Sequence, residues 1–399
     1  MQNNIKFLFL IALILVIIAG VIVFFAFRGS PQNTGASGGV VGGGTLPGTN
    51  GVSSGNNTNG ILTSPSPPVI LTEDEKQKLI QLSKDPVVGP TINKTGDRVL
   101  YFKQGTGNLF ETTLDGNGGE TRLSNIIIKN IADSRWTPSK TYAAIDSIDS
   151  SAINNFWLHI TGTSTIQTGS YGSAFLSSVF SPVEDKLAYL AKTGSRYTIS
   201  ISNPDGRSAK NIFSTEIPDF ELSWPSKTTL ALKTKSSAMA PSLFQILPVG
   251  GGSASVISSE EKSFDVLWAP DGVHYLASRS IPGSSDIKLE IKSLNVKDSV
   301  IGLTFKTLPE KCVFSKKEKL VLYCGIPRSL GREALPDAWW KKRTEFQDEL
   351  WRVNLETGET KQLLNGGGFD MTHLFTSQNE NYIFFVDKKD STLWSFRLI

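Results

Sequence analysis

Three histidines and two cysteines are all that this sequence of 399 residues offers for metal ligation or thiol chemistry. His159, His274 and His373 lie far apart and never in a metal-ligand spacing such as His-Glu-x-x-His, so no metal site is expected. A Gly-x-Ser-x-Gly elbow is absent, and so is a Ser-x-Asp-x-Gly-x-Thr-Trp box. The Gly-rich stretches 39–44 and 250–252 are not placed between a strand and a helix, which excludes a phosphate loop and leaves no cofactor to expect. Excess charge is also missing. The net value is +3, and Lys6 and Arg28 flank the apolar N-terminus, so no basic face remains to hold nucleic acid.

What is present begins with Phe7–Phe27, an unbroken run of 21 residues drawn only from Ala, Gly, Val, Ile, Leu and Phe. At 1.5 Å per helical residue it spans a bilayer core of about 30 Å. It is longer than the apolar part of a secretory signal and has no small-residue cleavage site at its edge, which reads as an uncleaved signal-anchor over 1–28, with later cleavage as the alternative. The α-amino group and Lys6 precede the run and Arg28 follows it. The positive-inside rule then expects a single pass through the cytoplasmic (inner) membrane, N-terminus inside and body exported. Residues 29–71 form a tether rich in Gly, Ser, Thr, Asn and Pro, uncharged from Gly29 to Pro68. Such a segment buries too little apolar surface to offset its ordering entropy, and as a coil it would span roughly 30–40 Å.

From residue 72 to 399 the sequence is periodic. A bulky residue, a small polar turn and an apolar strand recur from Ile92, Trp136, Phe180, Trp224, Trp268, Phe314 and Phe375. Successive gaps are 44 residues four times, then 46, then 61. Four strands fit each period: an inner strand ending at the anchor, a second such as Leu187-Ala188-Tyr189, an alternating third such as Tyr197–Ile201, and a short outer strand such as Gln362-Leu363-Leu364. A repeat of about 40–45 residues with four strands is the signature of a β-propeller. The prediction is an all-β, seven-bladed ring of four-stranded antiparallel blades. The seventh repeat stops before its outer strand, and Lys78–Ser83 resembles the missing piece. That N-terminal strand would close the ring and remove an open edge. Thr72 with Glu75 also reads as a capping box, so a short helix ending before Leu79 is expected ahead of it.

Trp268-Ala269-Pro270-Asp271-Gly272 and Phe180-Ser181-Pro182 are the best copies of the phrase, which resembles the repeat of TolB-like, WD-repeat-like propellers. The resemblance covers about Leu79 to Ile399; the copies at Trp224 and Phe314 lack the Asp-Gly pair. It implies the architecture and no single activity, since such propellers include periplasmic partner-binding proteins and non-catalytic domains of peptidases. It also suggests single-pass anchored propellers of bacteria. Some propeller lyases gather metal-binding histidines from several blades at the channel mouth, which here would require His159, His274 and His373 to converge.

Two local features stand out. Cys312 and Cys324 lie equally far from Glu318, so a hairpin turning there sets them opposite each other. A disulfide is then feasible and would suit an oxidising compartment; two buried thiols are the alternative. The long sixth gap places an insertion at 325–347 between the second and third strands of blade six. It carries Arg328, Arg332, Trp339, Trp340, Lys341, Lys342 and Arg343. Insertions in such rings map to loops on one face, often the binding face, and Trp and Arg anchor interfaces. The two tryptophans either contact a partner or pin the loop to the ring, or do one job each. The function expected is a non-catalytic scaffold for a protein or peptide partner in the cell envelope, with a polysaccharide- or peptide-directed hydrolase or lyase as the alternative.

Overall fold

A computed structural model describes residues 71–150, 152–162, 165–172, 175–282, 286–296 and 300–398, all within a compact unit spanning Ser66–Ile399. No helix among them is long and apolar enough to cross a membrane. The apolar run 7–27 and the tether to residue 70 lie outside the described residues.

The described strands form seven four-stranded antiparallel sheets, six of them simple up-and-down meanders in chain order. Their inner strands are Val87–Ile92, Ile131–Trp136, Phe175–Phe180, Phe220–Ser226, Asp265–Trp268, Cys312–Phe314 and Met371–Thr376. Each anchor of the sequence repeat falls at or near the end of one of them. Trp224 is the exception in detail, because its strand continues through Pro225 to Ser226.

Each seam between neighbouring blades holds its own apolar cluster. Ala188, Leu190 and Ile199 of blade three meet Phe220, Leu222 and Leu232 of blade four, all buried. The equivalent set between blades one and two is Leu100, Phe102 and Leu109 against Ile131, Ile145 and Leu158. This follows from the pattern of the strands, which bury residues on both faces and so read as apolar runs such as Val99-Leu100-Tyr101-Phe102.

Glu73–Lys78 is helical, with the Thr72 and Glu75 side chains exchanging hydrogen bonds with each other's backbone N–H groups. The chain then enters strand Leu79–Ser83, which pairs antiparallel with Leu393–Arg397 as the outer strand of blade seven. Leu82, Val87, Val99, Phe384, Val386 and Leu393 are buried together where blade seven meets blade one. The first and last strands of the propeller are thereby locked in one sheet, and the ring has no open edge.

Cys312 and Cys324 face each other in register across the blade-six hairpin and form a disulfide. The second strand of this blade runs from Val321 to Pro327, with Gly325, Ile326 and Pro327 still paired to Leu350, Glu349 and Asp348. The insertion therefore occupies 328–347 and not 325–347. Continued ladder pairing takes its first three expected residues into the strand.

Candidate functional site at the channel mouth

The insertion folds across the face of the ring that carries the loops between blades. Its short helix, Asp337–Trp340, is tied to several blades at once. The Asp337 carboxylate accepts hydrogen bonds from the Ala238 backbone N–H at 2.7 Å and from the Ser237 hydroxyl, both in a blade-four loop. The Ser263 hydroxyl, on the way into blade five, donates to the Leu335 carbonyl at 2.7 Å. On the opposite side Lys388 of blade seven donates to the Trp339 carbonyl at 2.6 Å and lies 4.6 Å from the Trp339 ring centre.

Trp339 is 1 % exposed and packs with Ile287, Leu308, Leu335 and Phe346. Its indole N–H donates to the Asp370 carboxylate at 2.9 Å. Asp370 also accepts from Lys311, whose ammonium donates to Asp348 at 2.5 Å and to the Met371 carbonyl at 3.1 Å. Lys311, Asp348 and Asp370 are all completely buried. Burial pushes the Asp348 carboxyl up to about 6, against the pull of Lys311. Its Oδ1 finds no hydrogen-bond partner. Desolvating such a cluster offsets much of its Coulombic gain, while removing one partner leaves an uncompensated buried charge.

Trp340 does something else. It is half-buried, donates through its indole N–H to Glu310 at 2.7 Å, and lines a cavity of about 320 Å³ at the channel mouth. Val87, Val88, Pro90 and Val386 give this cavity apolar wall; Asp133, Glu310, Lys342, His373 and Lys388 give it ionisable groups. The inner strands of blades one, two and seven all shift register here, between Val88 and Thr91, Ile131 and Asp133, and Thr372 and Phe375. Bulges of this kind re-aim side chains at the rim of a site. His373, at φ +50°, sits in the last of them.

Glu310 is open to solvent while the protein surrounds it. The enclosing protein raises its carboxyl above the usual range, and the charges of Asp265 and Glu221 push the same way. Enclosure lowers the His373 imidazole, with Asp133 opposing, and it lowers the Lys388 ammonium. Asp133 is held by Arg135 at 2.8 Å.

The remaining insertion residues are distributed over the surface. Arg328 binds Glu349 at 3.0 Å and Asn365 at 2.8 Å along the blade edge. Arg332 lines a separate groove of about 530 Å³ with Met239, Lys262 and Arg279. Lys341, Lys342 and Arg343 follow the helix and are exposed.

The three histidines do not come together. His159 stacks on Tyr142 with ring centres 3.8 Å apart, and His274 is bonded to Asp271 at 2.6 Å. Among the described residues no three of His, Cys, Asp or Glu are placed to hold a metal ion.

No family model and no curated protein matches this chain. Solved structures do. An oligogalacturonate lyase from Vibrio parahaemolyticus superposes with a TM-score of 0.56 at 10% identity, over 83% of this chain and 98% of its own. An oligogalacturonate lyase in complex with manganese gives the same TM-score, 0.56, over 97% of its length. The Cps50 (Swd1) β-propeller domain of Myceliophteria thermophila gives 0.53 at 10% identity, over 80% of this chain and all of that one. At such identity these likenesses show the fold alone. TolB from Acinetobacter baumannii also matches, at 16% identity and a TM-score of 0.43, too low to carry an argument. The seven-bladed ring fits the TolB-like resemblance of the repeat phrases.

Proposed function

We propose that this chain is a non-catalytic propeller, anchored in the cytoplasmic membrane through residues 7–27 and exported, that binds a protein or peptide partner in the cell envelope. One observation carries the reading. The insertion is fastened from beneath by Trp339, Asp337 and Lys388, so Lys341 and Arg343 stand exposed on a fixed support beside Trp340. A preformed basic and aromatic edge suits a partner with an acidic surface, because little ordering entropy remains to be lost on docking. The apolar run and the disulfide agree with export to an oxidising compartment.

The test is in-cell cross-linking followed by capture of full-length protein from detergent-solubilised membranes, with Lys341→Glu/Arg343→Glu in parallel. The expected outcome is a defined partner whose recovery drops about ten-fold or more in the variant, with the unfolding midpoint unchanged. The same set of proteins captured by both forms would sink this reading.

A hydrolase or lyase at the channel mouth is the second reading, favoured by the raised carboxyl of Glu310 at the cavity. Cleavage of an envelope polysaccharide or peptide by the full-length protein, lost in Glu310→Gln, would put that reading first.

A further inference from the structure

The cavity beneath Trp340 holds two acids and two lysines that are partnered differently. Both of its carboxylates are already engaged: Asp133 by Arg135 at 2.8 Å, Glu310 by the Trp340 indole at 2.7 Å. Neither of its two lysines is in an ion pair, although Lys388 donates to the Trp339 carbonyl. Among the described residues no carboxylate lies within ion-pairing distance of Lys342 or Lys388, and the two ammonium groups feel each other, Lys342 helping to lower Lys388. Asp370 and Glu310 both attract Lys388 without bonding to it; Asp370 is bonded to Lys311 and Trp339, and Glu310 to the Trp340 indole. The cavity thus presents two lysines outside any ion pair beside apolar wall from Val87, Val88, Pro90 and Val386, with a half-buried indole at its rim.

From this we infer that the cavity receives the C-terminal carboxylate of a peptide, with its last apolar side chain against the valines. This rests on the partner-binding reading above and names the part of the partner that is held. The volume, about 320 Å³, accommodates one or two residues and no more. A carboxylate between Lys342 and Lys388 gains two charge-assisted hydrogen bonds. Desolvation is limited for Lys388, which already donates to the Trp339 carbonyl. Phosphate would fill the cationic end and leave the apolar wall uncovered. A peptide terminus covers both.

The test uses full-length protein in detergent micelles and a fluorescein-labelled hexapeptide ending in valine, with either a free carboxylate or an amide. Fluorescence anisotropy is expected to show the acid bound about ten-fold or more tightly than the amide. Lys342→Gln should abolish most of that preference; this side chain is exposed and outside the apolar clusters, so the fold is retained. Lys388→Gln should do the same, although Lys388 also supports Trp339, and Lys342→Gln therefore decides. Equal binding of acid and amide, no binding of either, or an undiminished preference in Lys342→Gln would each overturn the inference. So would displacement of the acid peptide by a free uronic acid at equal concentration, since a bare carboxylated sugar would then satisfy the site. Because Lys341 and Arg343 are untouched, partner capture that survives alongside a negative peptide result overturns this inference alone.

Discussion

Blades three and six share one topology and differ at one hairpin. In blade three the second and third strands, Leu187–Thr193 and Arg196–Ser202, pair without a register shift and are joined by Gly194-Ser195. Gly194 takes φ +61°, the positive value that the first central position of a type II′ hairpin requires. In blade six the same two strands are joined by residues 328–347. Blade three meets blade four through an apolar seam, Ala188, Leu190 and Ile199 against Phe220, Leu222 and Trp224. Blade six adds a disulfide, a completely buried lysine with two aspartates, and a tryptophan bonded to one of them. The difference teaches that the ring needs only the apolar pattern. The disulfide and the completely buried ion pair accompany the blade whose long loop must be held in one place over the channel.

The strongest way to break this contrast is Lys311→Met. Removing the cation leaves Asp348 and Asp370 buried without their counter-charge, and the expected loss at pH 7 is about 3–5 kcal/mol by urea unfolding. The pH dependence follows from Asp348, which titrates at about 6 in the folded protein against an ordinary 3.8. The folded chain therefore holds this proton more firmly than the unfolded chain. Ionised Asp348 opposes folding above pH about 6, and that opposition fades as the pH falls towards 3.8. Without Lys311 the carboxyl rises further, so the deficit should shrink by about 1 kcal/mol or more between pH 7 and pH 5. A deficit equal at both values would mean that Lys311 acts through packing and not through charge.

The disulfide sharpens the contrast at the next level. Cys312 and Cys324 are separated by 12 positions and already opposed in a ladder. Closing so short a loop in the unfolded chain contributes about 2–3 kcal/mol. Cys312→Ala/Cys324→Ala should lower the urea midpoint accordingly and leave the mutant indifferent to reductant. If the double variant matched the parent, the hairpin alone would account for blade six's inner edge.

The ring was legible in the sequence because propeller seams repeat. Seven anchors at a near-constant period gave the blade number, and the missing outer strand after Leu393–Arg397 pointed to Leu79–Ser83. The long gap after Phe314 located the insertion, and the equal spacing about Glu318 paired the cysteines. The cavity was not legible. Glu310, His373 and Lys388 meet Trp340 only because three inner strands bulge and the insertion crosses from blade six towards blade four. Neither event has a local pattern. Nor did anything near Lys311 announce Asp348 and Asp370, which reach it from 37 and 59 positions away. The paired tryptophans divide because consecutive residues on one helical turn point about 100° apart, Trp339 into the core and Trp340 into the cavity.

Ile199→Val in blade three is the smallest of these effects and the control that gives the others meaning. Ile199 is completely buried in the seam with blade four, among Leu190, Phe220 and Leu232. Removing one methylene there should cost about 1 kcal/mol through lost burial and a small cavity. The cluster is built of buried apolar side chains, so the cost should be the same at pH 5 and pH 7. Compared with Lys311→Met under identical conditions, it separates two ways of building one fold: an apolar seam whose strength is indifferent to protons, and a charged clasp whose strength is set by them. If Ile199→Val also became milder at pH 5, titration elsewhere in the ring would be moving every seam together. The pH signature could then no longer be assigned to the clasp beneath the insertion.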